Sequence, residues 1–118
     1  MISKTLFLST DKCEKRVLLK NVEIADTFGK RMMGLLTRNG FSTTEGLLIT
    51  PCNVVHTFGM KFAIDLVFID KANQVIGVKK SLCKNKIAGV FGAKHTLELP
   101  AGKLEQLNIG LGDILEWH

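Results

Sequence analysis

The 118-residue chain has only two prolines, only three cysteines and no long apolar run. Scarce proline beside a 46% hydrophobic content excludes an extended, disordered chain and implies a packed globule. Cys13, Cys52 and Cys83 are odd in number and dispersed, with no C-x-x-C pair. That pattern argues against a disulfide framework and for reduced thiols. No segment approaches the ~20 apolar residues that a membrane helix needs. The short patch Leu6 to Leu8 has neither the core nor the cleavage site of a signal peptide. We therefore expect a soluble, cytoplasmic protein folded as one domain over residues 1–118, with no repeat, linker or low-complexity segment. At this length roughly two thirds of the unfolded surface can be buried, enough for a core without metal or disulfide support.

Acidic residues are missing locally as well. The net charge is +5, and between Asp70 and Glu98 there is no carboxylate, while Lys71, Lys79, Lys80, Lys84, Lys86 and Lys94 all fall there. Such a stretch attracts phosphate or an acidic partner. The plain reading is a solvated lysine surface, because Phe91 alone offers a ring for base stacking. Lysine without an arginine cluster also supplies charge without bidentate recognition. Specific nucleic-acid binding through residues 71–94 is accordingly the weakest functional reading.

What is present is a series of short apolar runs punctuated by turn residues. Thr5 to Ser9 and Arg16 to Ala25 read as strands, the second with Val22 and Ile24 alternating against Asn21 and Glu23. Phe28, Met32, Leu35 and Leu36 then form one helical stripe, which predicts a helix over about 27–38 stopped by Asn39-Gly40. Gly46 to Thr50 reads as a buried strand, Cys52 to Lys61 as a loop or irregular strand, and Ala63 to Ile69 as a central strand. Asp70 to Gln74 is a hairpin turn into Val75 to Lys80, and Ser81 to Ala93 reads as a loop. His95 to Leu99, one or two helical turns over Gly102 to Asn108, and a final strand Ile114 to Trp117 complete the chain. The class is α+β. The preferred architecture is a small, twisted, partly closed antiparallel barrel or sheet with the 27–38 helix packed against it.

The segment Glu45 to Asp70 carries the chemistry. Between its two apolar runs sit Cys52, His56, Thr57, Met60 and Lys61, and Asp65 lies inside the second run. A carboxylate amid Ile64, Leu66, Val67 and Phe68 is costly to bury without partners, so Asp65 is expected to be buried and paired. The expected partners are a cation or backbone donors from His56 to Lys61, or Arg31 on the helix; a structural Lys61–Asp65 ion pair is the plain reading.

Several spaced motifs also resemble one family. Arg31-x-x-Gly34-Leu35 with Arg38, Glu45-Gly46-Leu47-Leu48, His56-Thr57-Phe58-Gly59-Met60-Lys61, Ile64-Asp65-x-x-Phe68-x-Asp70, Leu97-Glu98-Leu99-Pro100-Ala101-Gly102 and Gly112-Asp113 are similar to those of domain of unknown function 192. The resemblance covers about 22–116, leaving residues 1–21 as an N-terminal strand extension. It departs at Ala63, where relatives often carry proline, and at Cys83-Lys84-Asn85-Lys86. The resemblance implies a small β-rich domain in bacteria, some members exported, with no established reaction.

Cys52-x-x-x-His56 offers a thiol and an imidazole for nucleophilic catalysis, or two ligands of a zinc site completed by Cys83, His95 or Asp65. Nothing nearby orients the imidazole, so a buried cysteine and a backbone-bonded histidine are the plain reading. Glu98, between Leu97 and Leu99, is expected on the opposite face of its strand, one open to water, and is noted for its place in the family motif. The preferred function is a non-catalytic binding module for a small molecule or peptide. Its cleft would lie near residues 56–65, with His56, Thr57, Met60, Lys61, Asp65, Arg31 and Glu98 as binding candidates and no cofactor. A metal- or thiol-dependent enzyme using Cys52 and His56 is the alternative.

Overall fold

The computed structural model describes residues 2–10, 14–27, 44–58 and 60–118. The expected helix over about 27–38, and with it Arg31, lies outside the described residues beyond Thr27, as does Cys13. Nine strands are described: β1 (Ile2–Ser9), β2 (Lys15–Ala25), β3 (Gly46–Ile49), β4 (Val54–His56), β5 (Ile64–Ile69), β6 (Val75–Leu82), β7 (Ile87–Gly89), β8 (His95–Pro100) and β9 (Ile114–Trp117). One short helix, α1 (Lys103–Leu107), is described with them.

Seven strands form one sheet in the order β6-β5-β8-β3-β2-β1-β9, and β4 and β7 pair in a second. Two expectations are corrected here. The sheet is not closed into a barrel: its end strands β6 and β9 form no ladder, although a bridge at Gln74 and Ile114 and backbone bonds between residues 73–75 and 112–115 tie their starts together. Nor is the pairing purely antiparallel, since β2 and β3 run parallel. A third correction is β7. Its three residues lie within a segment read as loop, because so short a run carries too little periodicity to be seen.

Central strands β3 and β5 are buried at every position, and β8 at all but its last. Such strands are covered on both faces, as near-continuous apolar runs require. Alternation sends Leu48, Val67, Ile69, Leu97 and Leu99 to one face, with Leu104 of α1 packed over them. Leu47, Ile49, Ile64, Leu66 and Phe68 point to the other, where Val55 of β4 and Ala88 of β7 join them. At Gly77 a side chain would run into Val90, 2.6 Å from the position of a Cβ, so this glycine lets the segment after β7 lie close against β6. The β5–β6 turn forms as read: Asp70 Oδ1 accepts the N–H groups of Ala72 and Gln74, and Asn73 takes the left-handed conformation at φ 65°.

Candidate functional site

Two carboxylates sit side by side in the centre of the sheet, on opposite faces. Asp65 is on β5 and Glu98 on β8; in the β5–β8 ladder Asp65 opposes Leu99 and Glu98 opposes Leu66. Asp65 therefore joins the face covered by α1, and Glu98 the face on which Leu47 and Leu66 lie.

Asp65 is 1% exposed, as its apolar surroundings predicted, but its donors come from elsewhere than expected. Oδ1 accepts the Ser81 N–H at 2.7 Å, and Oδ2 accepts the N–H groups of Gly102 and Leu104, each at 2.9 Å. Both origins have a physical cause. Between the pairs Ile64–Leu82 and Leu66–Lys79, β6 sets two residues, Lys80 and Ser81, against Asp65 alone on β5, and Ser81 sits in the bulge at φ 51°. A bulge leaves an N–H without a strand partner, and a helix start does the same. Gly102 is the N-cap of α1 at φ 91° and has no side chain to cap it. One carboxylate thus satisfies the bulge and the helix start together. Neither Lys61, which is exposed, nor the 56–61 backbone supplies these donors. Charge-assisted bonds of this kind contribute about 1.5–3 kcal/mol each.

Glu98 departs from expectation in the opposite sense. In a strand open to water on one side its position would be unremarkable, yet it is 4% exposed. Its Oε2 has no hydrogen-bond partner among the described residues. Desolvation raises its pKa from the usual 4.5 to about 7, since burial penalises the charged form. Pro100, two residues further on and so on the same face, forms part of the wall of an open cleft of about 530 Å³. Thr44, Glu45, Gly102, Lys103 and Gln106 also line it. Glu45 Oε1 is fixed there by the N–H groups of Lys20 and Asn21.

The expected site residues of the 52–61 segment do not supply the hydrogen bonds of Asp65. Thr57 is fully buried, donating its hydroxyl to the Cys83 carbonyl at 2.6 Å and accepting the Lys86 N–H at 2.9 Å, so it fastens the 83–86 loop to the end of β4. Met60 packs in the core. His56 is exposed and stacks on Phe58 with ring centroids 5.5 Å apart. Cys52 donates its S–H to the Val54 carbonyl at 3.2 Å, and both Cys52 and Cys83 are free thiols. His95 Nδ1 lies 2.7 Å from the Thr50 hydroxyl, and its ring meets Trp117 edge-on. Burial, reinforced by the Lys94 charge, lowers the His95 pKa below 6.5 against the opposing pull of Asp70. Among the described residues no three His, Cys, Asp or Glu side chains come close enough to hold a metal ion. None of the helices among them is long and apolar enough to cross a membrane.

Known proteins share this architecture. A UPF0127 protein of Thermococcus sibiricus is 31% identical over 111 residues, which span 91% of this chain and 72% of that protein. Another, of Pyrococcus abyssi, is 32% identical over 101 residues, 81% of this chain and 85% of that one. These relatives are archaeal, so the bacterial origin that the resemblance implied finds no support in them. A crystal structure of a Sinorhizobium meliloti protein, named only as a candidate transcription regulator, superposes with a TM-score of 0.81 at 21% identity, covering 98% of this chain and 94% of that one. A Novosphingobium aromaticivorans protein of unknown function gives 0.78 at 19%, covering 96% and 84%. At such identities the two structures speak for the fold alone. The model of domain of unknown function 192, described as an uncharacterised family, matches residues 9–117, and the chain belongs to that family.

Proposed function

We propose that the chain is a non-catalytic binding module for a small molecule that presents an ammonium or N–H donor on an apolar body, with Glu98 as its polar anchor. The observation that carries this reading is the buried Glu98 Oε2, without a partner among the described residues and set between Leu47 and Leu66. A carboxylate in apolar surroundings is costly, and a ligand donor at Oε2 would repay part of its lost hydration. Few polar groups among many apolar ones is how small-ligand sites are built. This reading moves the anchor from Asp65, whose donors are all internal, to the next strand. The thiol alternative lacks a base, because the Cys52 S–H is turned to a carbonyl and His56 to Phe58.

Short n-alkylamines, with n-alkyl carboxylates of equal length as controls, test the proposal at about pH 8, where Glu98 is mostly ionised. Amines should shift the Glu98 carboxyl carbon resonance and raise the melting temperature through mass action, while carboxylates do neither. Glu98→Gln should abolish the amine effect. No response to any amine, or an undiminished one in the variant, would overturn the assignment.

A further inference from the structure

We propose that the outer face of the β4–β7 sheet docks an acidic segment of another protein that also carries apolar side chains. A two-stranded sheet lying on a core normally turns apolar side chains inward and polar ones to water. Here the inward positions, Val55 and Ala88, do pack on the core. The outward positions include two large apolar residues as well as His56: Val54 is 56% exposed and Ile87 65%. The register sets Ile87 beside His56, and Gly89 beside Val54. Phe58, 46% exposed, stacks on His56 at one end of this line. At the other end Val90 donates its N–H to the Asn53 carbonyl, which brings the fully exposed Phe91 next to the start of β4. Clustered exposure of this kind marks an interaction surface in a way that scattered single residues do not.

The charge around this line selects the occupant. Lys84 and Lys86 precede β7, and Lys94, whose carbonyl accepts the Cys52 N–H, borders β4; all three side chains are exposed. They belong to the acid-free stretch between Asp70 and Glu98, so no carboxylate within that stretch offsets them. A second copy of this face would bring lysines against lysines, which disfavours self-association through it. The chain has no arginine after Arg38, so phosphate would meet point charges and not bidentate forks. Val54 and Ile87 cannot stack on bases, but they do form the shallow aliphatic seat that peptide side chains fill. Acidic residues on the partner would meet the lysines, and its apolar residues the line between Phe58 and Phe91. Glu98 plays no part in this surface, since its side chain lies on the interior face of the large sheet.

The test is an NMR titration of the full ¹⁵N-labelled chain with a short synthetic peptide alternating glutamate with leucine and phenylalanine. Polyglutamate of equal length, a single-stranded oligonucleotide and phosphatidylserine vesicles are run in parallel. Amide shifts should be confined to about 53–58 and 84–94, and polyglutamate should bind at least about tenfold more weakly. The double variant Val54→Ser/Ile87→Ser should lose about tenfold in peptide affinity with its amide spectrum otherwise intact. Lys84→Glu/Lys86→Glu should weaken binding and flatten its salt dependence. The proposal is overturned if the alternating peptide shifts no amides in this face, if the serine variant binds it unchanged, or if the oligonucleotide or the vesicles bind more tightly.

Discussion

Asp65 and Glu98 occupy adjacent central strands and are almost equally buried, yet their surroundings differ in kind. The Asp65 face of the sheet meets a strand bulge and a helix start, two places where folding strands backbone N–H groups, and the carboxylate collects three of them. The Glu98 face meets Leu47 and Leu66, and Oε2 has no donor among the described residues. Burial alone therefore does not tell a structural carboxylate from one held in reserve. What separates them is whether the fold itself supplies the hydrogen bonds.

Substitutions that remove charge with little change of shape should then act in opposite directions at the two sites. The largest effect belongs to Asp65→Ala, which strips three donors of their acceptor at once and should cost about 3 kcal/mol or more in urea denaturation. Asp65→Asn keeps one oxygen but turns an amide N–H₂ toward an N–H donor, and should cost about 1–3 kcal/mol.

Glu98→Gln should do the reverse. The rise from 4.5 to about 7 means that between those pH values the native state holds a proton that the unfolded chain has already lost. Stability drawn from this group is thus fully present below about pH 4.5 and is lost as pH climbs through 7. A displacement of that size corresponds to about 3 kcal/mol. Glutamine carries no charge to bury, so the variant should be more stable than the parent by up to about 3 kcal/mol at pH 8, with the advantage shrinking toward zero below about pH 4.5. Comparing the two proteins at each pH cancels the contribution of His95. Its lowered pKa acts the other way, taking stability away as pH falls below 6.5. A constant offset between parent and variant across this range would contradict the picture of Glu98.

Smaller effects mark the limits of the comparison. Thr57→Val removes a hydroxyl that is fully paired, like Asp65, but neutral, and should cost about 1–2 kcal/mol. The serine variants of Val54 and Ile87, both outside the core, should stay within about 0.5 kcal/mol of the parent by thermal unfolding. A larger loss there would show that the outer face of β4–β7 supports the fold.

The burial of Asp65 was legible in the sequence because apolar residues flank it on both sides, which is what a strand covered on two faces looks like. Its partners were not, because they lie 16, 37 and 39 residues away and depend on where β6 bulges and α1 begins. The motif around Glu98 drew the eye, but its alternation with Leu97 and Leu99 reads the same in a half-exposed strand as in a central one. The covering comes from β4 and β7, whose Val55 and Ala88 pack with Leu47 and Leu66 on that face, and this is a long-range contact. The final strand has the bounds its sequence implies, Ile114–Trp117, since the turn Gly110-Leu111-Gly112-Asp113 leads into it. The outward apolar line of β4–β7 was missed for lack of period, although Ile87 to Phe91 is an apolar run broken only by Gly89.

Glu98 is held in an apolar face with no donor to Oε2 among the described residues, and following its carboxyl carbon by NMR from about pH 4 to about pH 9 tests that directly. The predicted result is a titration midpoint near 7 in the folded chain. A midpoint at the ordinary glutamate value of 4.5 would mean that the carboxylate is already satisfied, like Asp65, and that no ligand is awaited there.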